Sequence, residues 1–338
     1  MKVFEPASVL KRTKNRFSLF KASEAAEDMS AGSRLRTQGF ALISHSPKFK
    51  IVSTSKFFTL GSCFAREIEE SLIARGISVL GSEFSLPKKY RIGGRWGREE
   101  YFSTRGFTLE NQRSCLNKYS VHSMAQCLEL ATNFDDDKLE SLLIATPSGY
   151  VNPHQHLSVA LPLEESIDLF RDMMSVYKLV TEAEVIVLTL GQTELWYDNE
   201  TRTILNGTPP MEALKLFPQR FVFCMPDFFE IYAELARISG LIESHCRNSP
   251  KVILTVSPVP FSRTFSGEDA IVANAMSKAS LLVAARTMCI DKQNWDYFPS
   301  YEMVTSSCRE WAIEPDGVHV MPRCVERVVE EFCRLYLE

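Results

Sequence analysis

The sequence lacks the features that mark membrane, secreted and nucleic-acid-binding proteins. No run of 18 apolar residues occurs in its 338 residues, and the stretch MKVFEPASVLKRTKNRF has charges on both sides of a short apolar run where a signal peptide has a hydrophobic segment. The formal net charge is −4, so there is no basic surplus to attract nucleic acid or anionic lipid. We therefore predict a cytoplasmic protein with no nucleic-acid partner and no membrane insertion.

Metal-ligand and disulfide patterns are also missing. The 9 cysteines are an odd number with no regular spacing, which fits buried thiols in a reducing compartment. His154 and His156, in NPHQH, are spaced like two residues on one face of a strand, but no further ligands accompany them, and a solvated loop is the simpler interpretation. The sequence predicts neither a metal nor an organic cofactor.

What the sequence does contain is enough apolar residues, 45%, for a large core. From residue 57 onward, short apolar runs alternate with polar periodic segments, a pattern typical of βαβ units and a mostly parallel sheet. The predicted strands are 57–60, 77–80, 185–190, 252–257 and 295–298. The predicted helices are 65–74, one near 324–337 and one within 21–36.

Composition divides the chain into two parts. Residues 1–50 are mixed polar and basic and are predicted to form an N-terminal extension, and residues 51–338 are predicted to form one domain. Two stretches near 83–114 and 197–226 carry glycine, arginine or turn signals such as NGTPP, and we interpret both as loop insertions.

Two nucleophilic side chains stand together in FFTLGSCFAREIEESL. A strand that ends at Gly61 and is followed at once by a helix places Ser62 at the carboxyl edge of the sheet, where open α/β folds bind ligands. The helix start offers N–H groups that stabilise an oxyanion beside this serine. The alternative is that Ser62 only caps the helix, and position alone favours the cap.

A catalytic serine needs a base, normally a histidine oriented by a carboxylate. EPDGVHV places Asp316 and His319 three residues apart across a glycine, a spacing that lets the carboxylate reach Nδ1 and leaves Nε2 to face a hydroxyl. A D-x-x-H pair alone is common in solvated loops. Together with Ser62 it favours a Ser–His–Asp site.

Six segments in this order resemble landmarks of the GSCFA family, an SGNH- or GDSL-like group of hydrolases: FTLGSCFA, TLGQTELW, SPVPFSRTF, ANAMSKASLLVAA, DYFPSYEMV and DGVHV. The resemblance covers roughly residues 57–321. It implies a three-layer α/β/α, flavodoxin-like fold with a mostly parallel sheet, and an esterase or acyl-transfer site. It also implies that Ser62 is the nucleophile, that Asp316 and His319 complete a triad, and that Gly191 is the glycine of the G-x-N block.

The sequence departs from that pattern in two places, since the glycine block that supplies another main-chain donor has no clear match and the G-x-N block is altered. SGNH enzymes have an asparagine that donates to the oxyanion, whereas this chain reads GQTE, with Thr193 in its place. The predicted oxyanion donors are Ser62, Gly191 and Thr193, with the Gln192 amide as an alternative. Losing one such donor costs about 3 kcal/mol in serine hydrolases, so the change bears on rate more than on reaction type.

The remaining site candidates are predicted to bind substrate. NKYSVHSM resembles a family landmark and places Asn117 or Ser120 near the site, and His122 lines the pocket or is a satisfied polar residue. Glu194 and Trp196 follow the strand 185–190, where an aromatic ring would stack on a sugar, although aromatic residues at strand ends are more often core. Gln192 completes this set.

Cys63 competes with Ser62 for the role of nucleophile. A thiol is intrinsically more nucleophilic, and a helix start lowers its pKa. Adjacent side chains at a strand-to-helix turn point in different directions, however, so only one of the pair faces the pocket. The family resemblance assigns that direction to Ser62, and Cys63 is expected to pack inward.

Three functions remain open at this stage. The first is a serine-dependent esterase or deacetylase that removes an acyl group, with acetyl favoured, from a small-molecule or carbohydrate ester through an acyl-enzyme. The second is an O-acyltransferase that moves the acyl group from a donor such as acetyl-CoA to a glycan. The third is a non-catalytic binding module, which the missing asparagine supports.

Overall fold

The computed structural model describes Glu5, Pro6, Ser8 and residues 15–22, 29–37, 39–86, 113–156 and 160–338. The predicted insertion near 83–114 therefore lies for the most part outside the described residues.

The described strands are mostly short. They are β1 (Phe57–Gly61), β2 (Ile144–Thr146), β3 (Gly149–Val151), β4 (Val185–Leu190), β5 (Leu195–Asp198), β6 (Thr203–Leu205), β7 (Phe221–Cys224), β8 (Lys251–Val256) and β9 (Trp295–Tyr297).

The described α-helices range from one turn to six. They are α1 (Ala31–Thr37), α2 (Cys63–Ala74), α3 (Val121–Thr132), α4 (Leu139–Leu142), α5 (Leu163–Lys178), α6 (Met211–Leu216), α7 (Phe228–His245), α8 (Ala270–Asp291), α9 (Ser300–Thr305), α10 (Arg309–Ala312) and α11 (Pro322–Tyr336).

Four strands form the central parallel sheet in the order β1-β4-β8-β9. Val79, in the predicted second strand, makes an isolated parallel bridge to Phe57 on the outer side of β1. With that segment included, the spatial order in terms of chain order is 2-1-3-4-5, which is the flavodoxin-like order. Because the strands are parallel, the chain leaves all of them at one carboxyl edge.

Helices cover both faces of this sheet. Alternate residues of β1 and β4 point to opposite sides, so Phe58 and Leu188 lie in one apolar cluster and Phe57 and Val187 lie in the other. The first cluster includes residues of α3, α5, α7 and α8, and the second includes residues of α2, α9 and α11. The predicted three-layer α/β/α fold is confirmed.

The helix that follows β1 forms because its apolar residues repeat at helical spacing. Phe64, Ile68 and Leu72 are buried in the second cluster, at positions i, i+4 and i+8. The helix ends at Ala74, and Gly76 follows with a φ of 75°, the left-handed conformation that commonly terminates a helix. This amphipathic face fixes the start of α2, and hence Ser62, against the sheet.

The stretch 197–226 is more ordered than a loop insertion. It contributes to a second, antiparallel sheet in the order β6-β5-β7 and includes the short helix α6. The turn signals NGTPP fall between β6 and α6, as a turn should. This small sheet begins five residues after the end of β4, so it stands at the carboxyl edge of the main sheet.

The end of the N-terminal extension and the residue that follows it pack against the end of α11, while Phe40 and Ala41 contact Trp311 and Ser307. Ile51 makes a parallel bridge to Leu337, and His45 Nε2 lies 2.9 Å from the Tyr336 hydroxyl. Within the segment predicted to be helical, the structure places α1 at Ala31–Thr37.

Candidate active site

Ser62 lies at the junction between β1 and α2. Its backbone is extended (φ −69°, ψ −175°) and takes the N-cap position, but its side chain makes no capping hydrogen bond. The residue is 2% exposed, and Oγ has no hydrogen-bond partner among the described residues. The serine before α3 differs, since Ser120 Oγ accepts the Ser123 N–H at 3.1 Å. The Ser62 hydroxyl therefore does not serve as a helix cap.

Other polar atoms without partners surround the end of β1. Within the described part of the chain, Thr189 Oγ1 and Asn117 Oδ1 are also buried and unpaired. Thr189 pairs with Gly61 in the sheet, and the Lys118 N–H donates to the Gly61 carbonyl at 2.7 Å. Burying a polar group without a partner costs about 1–3 kcal/mol, so such groups in a native protein call for an explanation, and a functional site is one.

Two glycines allow the backbone segments to meet here. A Cβ on Gly61 would lie 2.4 Å from the Thr189 carbonyl oxygen, and one on Gly191 would lie 2.7 Å from the Tyr119 carbonyl oxygen and 3.2 Å from Ser62 Cβ. The structure thus brings Gly191, predicted from the sequence to belong to the site, into direct packing contact with Ser62. The segment around Tyr119 closes the same edge.

The main-chain N–H groups of the three residues predicted to hold an oxyanion all have protein acceptors, although the predicted donor of Thr193 is its hydroxyl. The Ser62 N–H donates to the Thr189 carbonyl at 3.3 Å, and the Gly191 N–H donates to the Tyr119 carbonyl at 3.2 Å. The Thr193 N–H donates to Ser277 Oγ at 3.0 Å. The bond from Ser62 is the longest of the three and hence the weakest. The first turn of α2 adds the N–H groups of Cys63 and Phe64, whereas the Ala65 N–H donates to the Ser62 carbonyl at 2.9 Å.

Asp316 and His319 form the expected pair. The Asp316 Oδ2 atom lies 2.6 Å from His319 Nδ1, and Oδ1 accepts the main-chain N–H groups of Val318 at 2.9 Å and His319 at 3.0 Å. The turn is closed by Glu314 N–H donating to the His319 carbonyl at 2.8 Å, and Gly317 has a φ of 74°. A carboxylate on Nδ1 fixes the tautomer in which Nε2 is the basic nitrogen.

The Asp316 carboxylate is ionised at neutral pH. Burial alone would raise its pKa, but the hydrogen bonds from the His319 side chain and from the two main-chain N–H groups outweigh it and lower the pKa to about 2. The neighbouring Val320 belongs to the same apolar cluster as Phe64 of α2. The pair therefore sits at the start of α11, on the face of the sheet that α2 covers.

Cys63 is partly exposed, so the prediction that it packs inward is wrong. Its thiol is nevertheless poorly suited to be the nucleophile. Burial raises the pKa of its thiol to about 11, the charge of Glu67 acts in the same direction, and Lys278 only partly opposes them. A thiol with such a pKa is almost entirely protonated at neutral pH and is a weak nucleophile.

The other predicted binding residues are distributed around the edge. Asn117 is 2% exposed, and its Nδ2 donates to the Tyr119 hydroxyl at 3.4 Å. Gln192 donates from Nε2 to the Glu194 carbonyl at 3.0 Å. Glu194 is buried, and its carboxylate accepts the Phe265 N–H at 3.0 Å.

The contacts of the remaining predicted binding residues, Ser120, His122 and Trp196, are typical of residues that stabilise the fold. Ser120 caps α3, as described above. Burial lowers the pKa of His122, against the opposing charges of Glu234 and Glu230 on α7. Trp196 is half-buried on β5, with its ring centroid 5.4 Å from that of Phe223 and 5.5 Å from that of Phe265.

The interpretation of NPHQH as a solvated loop is wrong. His154 is fully buried, its ring centroid is 5.5 Å from that of Phe170, and burial lowers its pKa well below the usual value. His156 Nε2 lies 3.1 Å from the Tyr119 hydroxyl. The apolar neighbours that bury this loop are distant in sequence, so local composition did not reveal them. Among the described residues, no group of three or more His, Cys, Asp or Glu side chains is arranged to hold a metal ion.

Two residues at this edge were missed by the sequence interpretation. Lys278 and Ser277, both buried on α8, contact the main chain of the loop that follows β4. The available signal was a lysine inside the long, largely apolar segment ANAMSKASLLVAA, where a charged side chain has to find a partner.

Within the described residues, no helix has the length and apolar character needed to cross a membrane. A comparison with curated proteins finds no match. Among solved structures, a carbohydrate esterase family 3 from Talaromyces cellulolyticus is similar at 9% identity and a TM-score of 0.35, covering 82% of this chain and 94% of that chain. The model of the GSCFA family matches residues 56–332, and the chain therefore belongs to the GSCFA family.

Proposed function

We propose that the protein is a serine-dependent esterase that removes an acyl group, with acetyl favoured, from a small-molecule or carbohydrate ester. The observation that carries the proposal is the Ser62 hydroxyl, which is buried at a helix start and makes no capping hydrogen bond. The Asp316–His319 pair supplies the base that such a hydroxyl requires.

In the proposed reaction, His319 Nε2 takes the proton of Ser62 Oγ as the oxygen attacks the ester carbonyl. The resulting imidazolium is stabilised by the ionised Asp316 and returns the proton to the leaving alcohol. Water then attacks the acyl-enzyme by the same route in reverse, with His319 as the base. Ser62 Oγ has no hydrogen-bond partner among the described residues. The proposed reaction therefore also requires His319 Nε2 to come within hydrogen-bonding distance of Ser62 Oγ.

The proposed oxyanion donors are the N–H groups of Ser62 and Gly191 and the Thr193 hydroxyl, together with the helix start. A substrate oxygen has to compete with the acceptors that these N–H groups now have. Ser62 is the easiest to redirect because its bond to Thr189 is the longest, at 3.3 Å. Competition of this kind lowers the rate but leaves the reaction type unchanged.

The test is covalent labelling by a serine-reactive phosphonate. Wild-type protein is expected to gain one adduct on the peptide that contains Ser62, and Ser62→Ala is expected to lose both the adduct and the hydrolysis of a short-chain aryl ester. Mass spectrometry of the digested protein identifies the site. Wild-type hydrolysis in the Ser62→Ala protein would refute the proposal.

Cys63→Ala is expected to label and turn over ester at close to the wild-type rate. The reason is that the Cys63 pKa of about 11 leaves almost no thiolate to attack a substrate at neutral pH. The labelling rate and kcat of Cys63→Ala measure this directly. If Cys63→Ala lost activity and Ser62→Ala kept it, the nucleophile would be Cys63.

Acyl transfer to a glycan hydroxyl is the second candidate, and the burial of Ser62 supports it. A nucleophile that is only 2% exposed lies where bulk water is restricted, and a site that excludes water favours interception of the acyl-enzyme by another hydroxyl. Incubation with acetyl-CoA or an acetyl ester, with and without a carbohydrate acceptor, distinguishes the two reactions. Acetate released without acceptor indicates hydrolysis, and acetylated carbohydrate indicates transfer.

We also propose a cytoplasmic location, and its support is that all nine cysteines are free thiols.

A further inference from the structure

Lys278 is a buried lysine whose described acceptors are neutral. It is 1% exposed, and its Nζ donates to the main-chain carbonyls of Gly191 at 2.5 Å and Val259 at 2.8 Å. A lysine at this depth is normally paired with a carboxylate, because burying an uncompensated charge is costly. The carbonyls accept two of the three protons that an ammonium group has to donate.

This lysine belongs to a polar face on α8. Asn274, Ser277 and Lys278 are spaced i, i+3 and i+4, so their side chains leave the helix on one side. Asn274 Oδ1 accepts the Phe261 N–H at 3.3 Å, and Ser277 Oγ accepts the Thr193 N–H at 3.0 Å. The face thereby holds the main chain of the two loops that follow β4 and β8, at the edge where parallel sheets carry their sites.

The acceptor of Lys278 is in contact with the candidate nucleophile. Gly191, whose carbonyl Lys278 holds, packs so closely on Ser62 that an added Cβ would lie 3.2 Å from Ser62 Cβ. The charge of Lys278 is also felt at the start of α2, where it lowers the pKa of the Cys63 thiol against the larger effect of burial. Lys278 thus interacts both with Gly191, which packs on Ser62, and with Cys63, which follows Ser62 in the chain.

We propose that Lys278 is a positioning residue for the Ser62 site, which holds the Gly191 carbonyl in place and, when protonated, supplies a positive charge on the Gly191 side of Ser62. The inference rests on the proposed function, since an oxyanion forms only if Ser62 attacks an acyl or phosphonyl group. The charge compensates for the asparagine that Thr193 replaces. A lysine that only joined two loops would act equally well with or without its proton, because a neutral amine still donates two hydrogen bonds.

The protonation of Lys278 is set by few neighbours. Burial lowers its pKa to about 7, and Cys63, whose thiolate would raise it, is protonated at that pH. Glu67, further along α2, acts on Cys63, and Glu194 in the loop after β4 is held by Thr264 and Phe265. On α7 and β9, which also pack against α8, Glu243 pairs with Lys292 and Tyr297 lies under Arg286, two turns or more beyond Lys278. Asp296 of β9 is held by His45, Lys48 and Tyr336. Glu230, Glu234 and Arg237 of α7 interact with His122 and Glu129.

The test compares Lys278→Met with wild type by the rate of phosphonate labelling at Ser62 and by kcat and KM on an aryl ester. Below pH 7, where Lys278 carries its proton, Lys278→Met is expected to be about 100-fold slower in labelling and in kcat, with KM nearly unchanged. The ratio of wild-type to variant rates should shrink as pH rises above 7. Because wild type and Lys278→Met share all their other titratable groups, the ratio of their rates removes the pH dependence that those groups cause.

Lys278→Arg separates charge from shape, since a guanidinium keeps its charge at every pH tested. The labelling rate of Lys278→Arg is expected not to show the fall above pH 7 that loss of the Lys278 proton causes in wild type. Lys48→Met is the matched control, because Lys48 Nζ also donates to two main-chain carbonyls, those of Cys289 and Lys292, at the opposite end of α8. Lys48→Met should label at the wild-type rate.

The outcomes are distinct. If wild type is labelled at Ser62 and Lys278→Met is labelled equally fast, or is slowed by the same factor at every pH, the positioning role is refuted and the proposed function stands. If Lys278→Met does not fold, identical pH profiles for wild type and Lys278→Arg refute it. If wild type is not labelled at Ser62 at any pH, the proposed function fails and this inference fails with it.

Discussion

Replacing His319 with alanine is expected to lower kcat on a short-chain aryl ester about 10,000-fold or more, because Ser62 then has no base to take its proton. The main chain of the turn should survive the change, since His319 closes the turn through its carbonyl, which accepts the Glu314 N–H at 2.8 Å. KM should change far less than kcat. Steady-state kinetics, with circular dichroism to confirm the fold, measure the effect.

Asp316→Asn is the companion variant. It removes the charge but keeps an oxygen for the two N–H groups that Asp316 Oδ1 now accepts, whereas alanine would leave both without a partner. We expect a loss of about 10,000-fold, since an amide holds the imidazole in the wrong tautomer. The double variant should be no slower than His319→Ala, because residues that act as one unit are not additive. Wild-type turnover in His319→Ala would show that His319 is not the base, whereas a wild-type protein without turnover would favour the non-catalytic binding module.

The central strands could be predicted from the sequence because parallel strands buried on both faces are continuous apolar runs. The strand predicted at 185–190 is β4 as the structure has it, and the one predicted at 252–257 is shifted by one residue from β8. The second predicted strand, 77–80, is reduced to a single bridge at Val79. It lies at the edge of the sheet, where only one neighbour fixes its pairing.

The small antiparallel sheet could not be predicted in the same way. Its strands are three or four residues long and partly exposed, so they give neither a continuous apolar run nor a long alternation. Their pairing depends on contacts made after the chain has folded, such as Trp196 opposite Leu205 and Phe223. The turn signals in NGTPP were correct because turn chemistry is local.

The residues of the candidate site differ in how well they could be predicted from the sequence. The sequence indicated that Ser62 stands at the start of a helix. It could not show whether the Ser62 hydroxyl caps that helix, because only the hydrogen bonds in the structure distinguish a capping serine from one that makes no such bond. The Asp316–His319 contact was predictable because both ends belong to one short turn. Lys278 was not, since Gly191 and Val259, which it contacts, are 87 and 19 residues away.

Gly61→Ala is expected to lower the free energy of unfolding by at least about 3 kcal/mol, because two effects add at this position. The glycine has a φ of 155°, and a Cβ would lie 2.4 Å from the Thr189 carbonyl oxygen and 2.9 Å from Thr189 Cα. These are main-chain atoms of β4, which pairs with β1 along five residues, so they cannot withdraw without breaking the ladder. Urea unfolding, followed by circular dichroism, measures the loss.

Two other glycines separate the causes of that loss. Gly76 has a φ of 75° and nothing within 4 Å of an added Cβ, so Gly76→Ala should show only the conformational cost of about 1–2 kcal/mol. Gly240 lies within α7, also with open space, and Gly240→Ala should raise stability by about 0.5–1 kcal/mol. The folded fraction of Gly61→Ala should also react slowly with phosphonate, since any shift of β1 from β4 moves Ser62 away from Gly191. A Gly61→Ala protein as stable as Gly240→Ala would contradict the close approach of β1 and β4 on which the site depends.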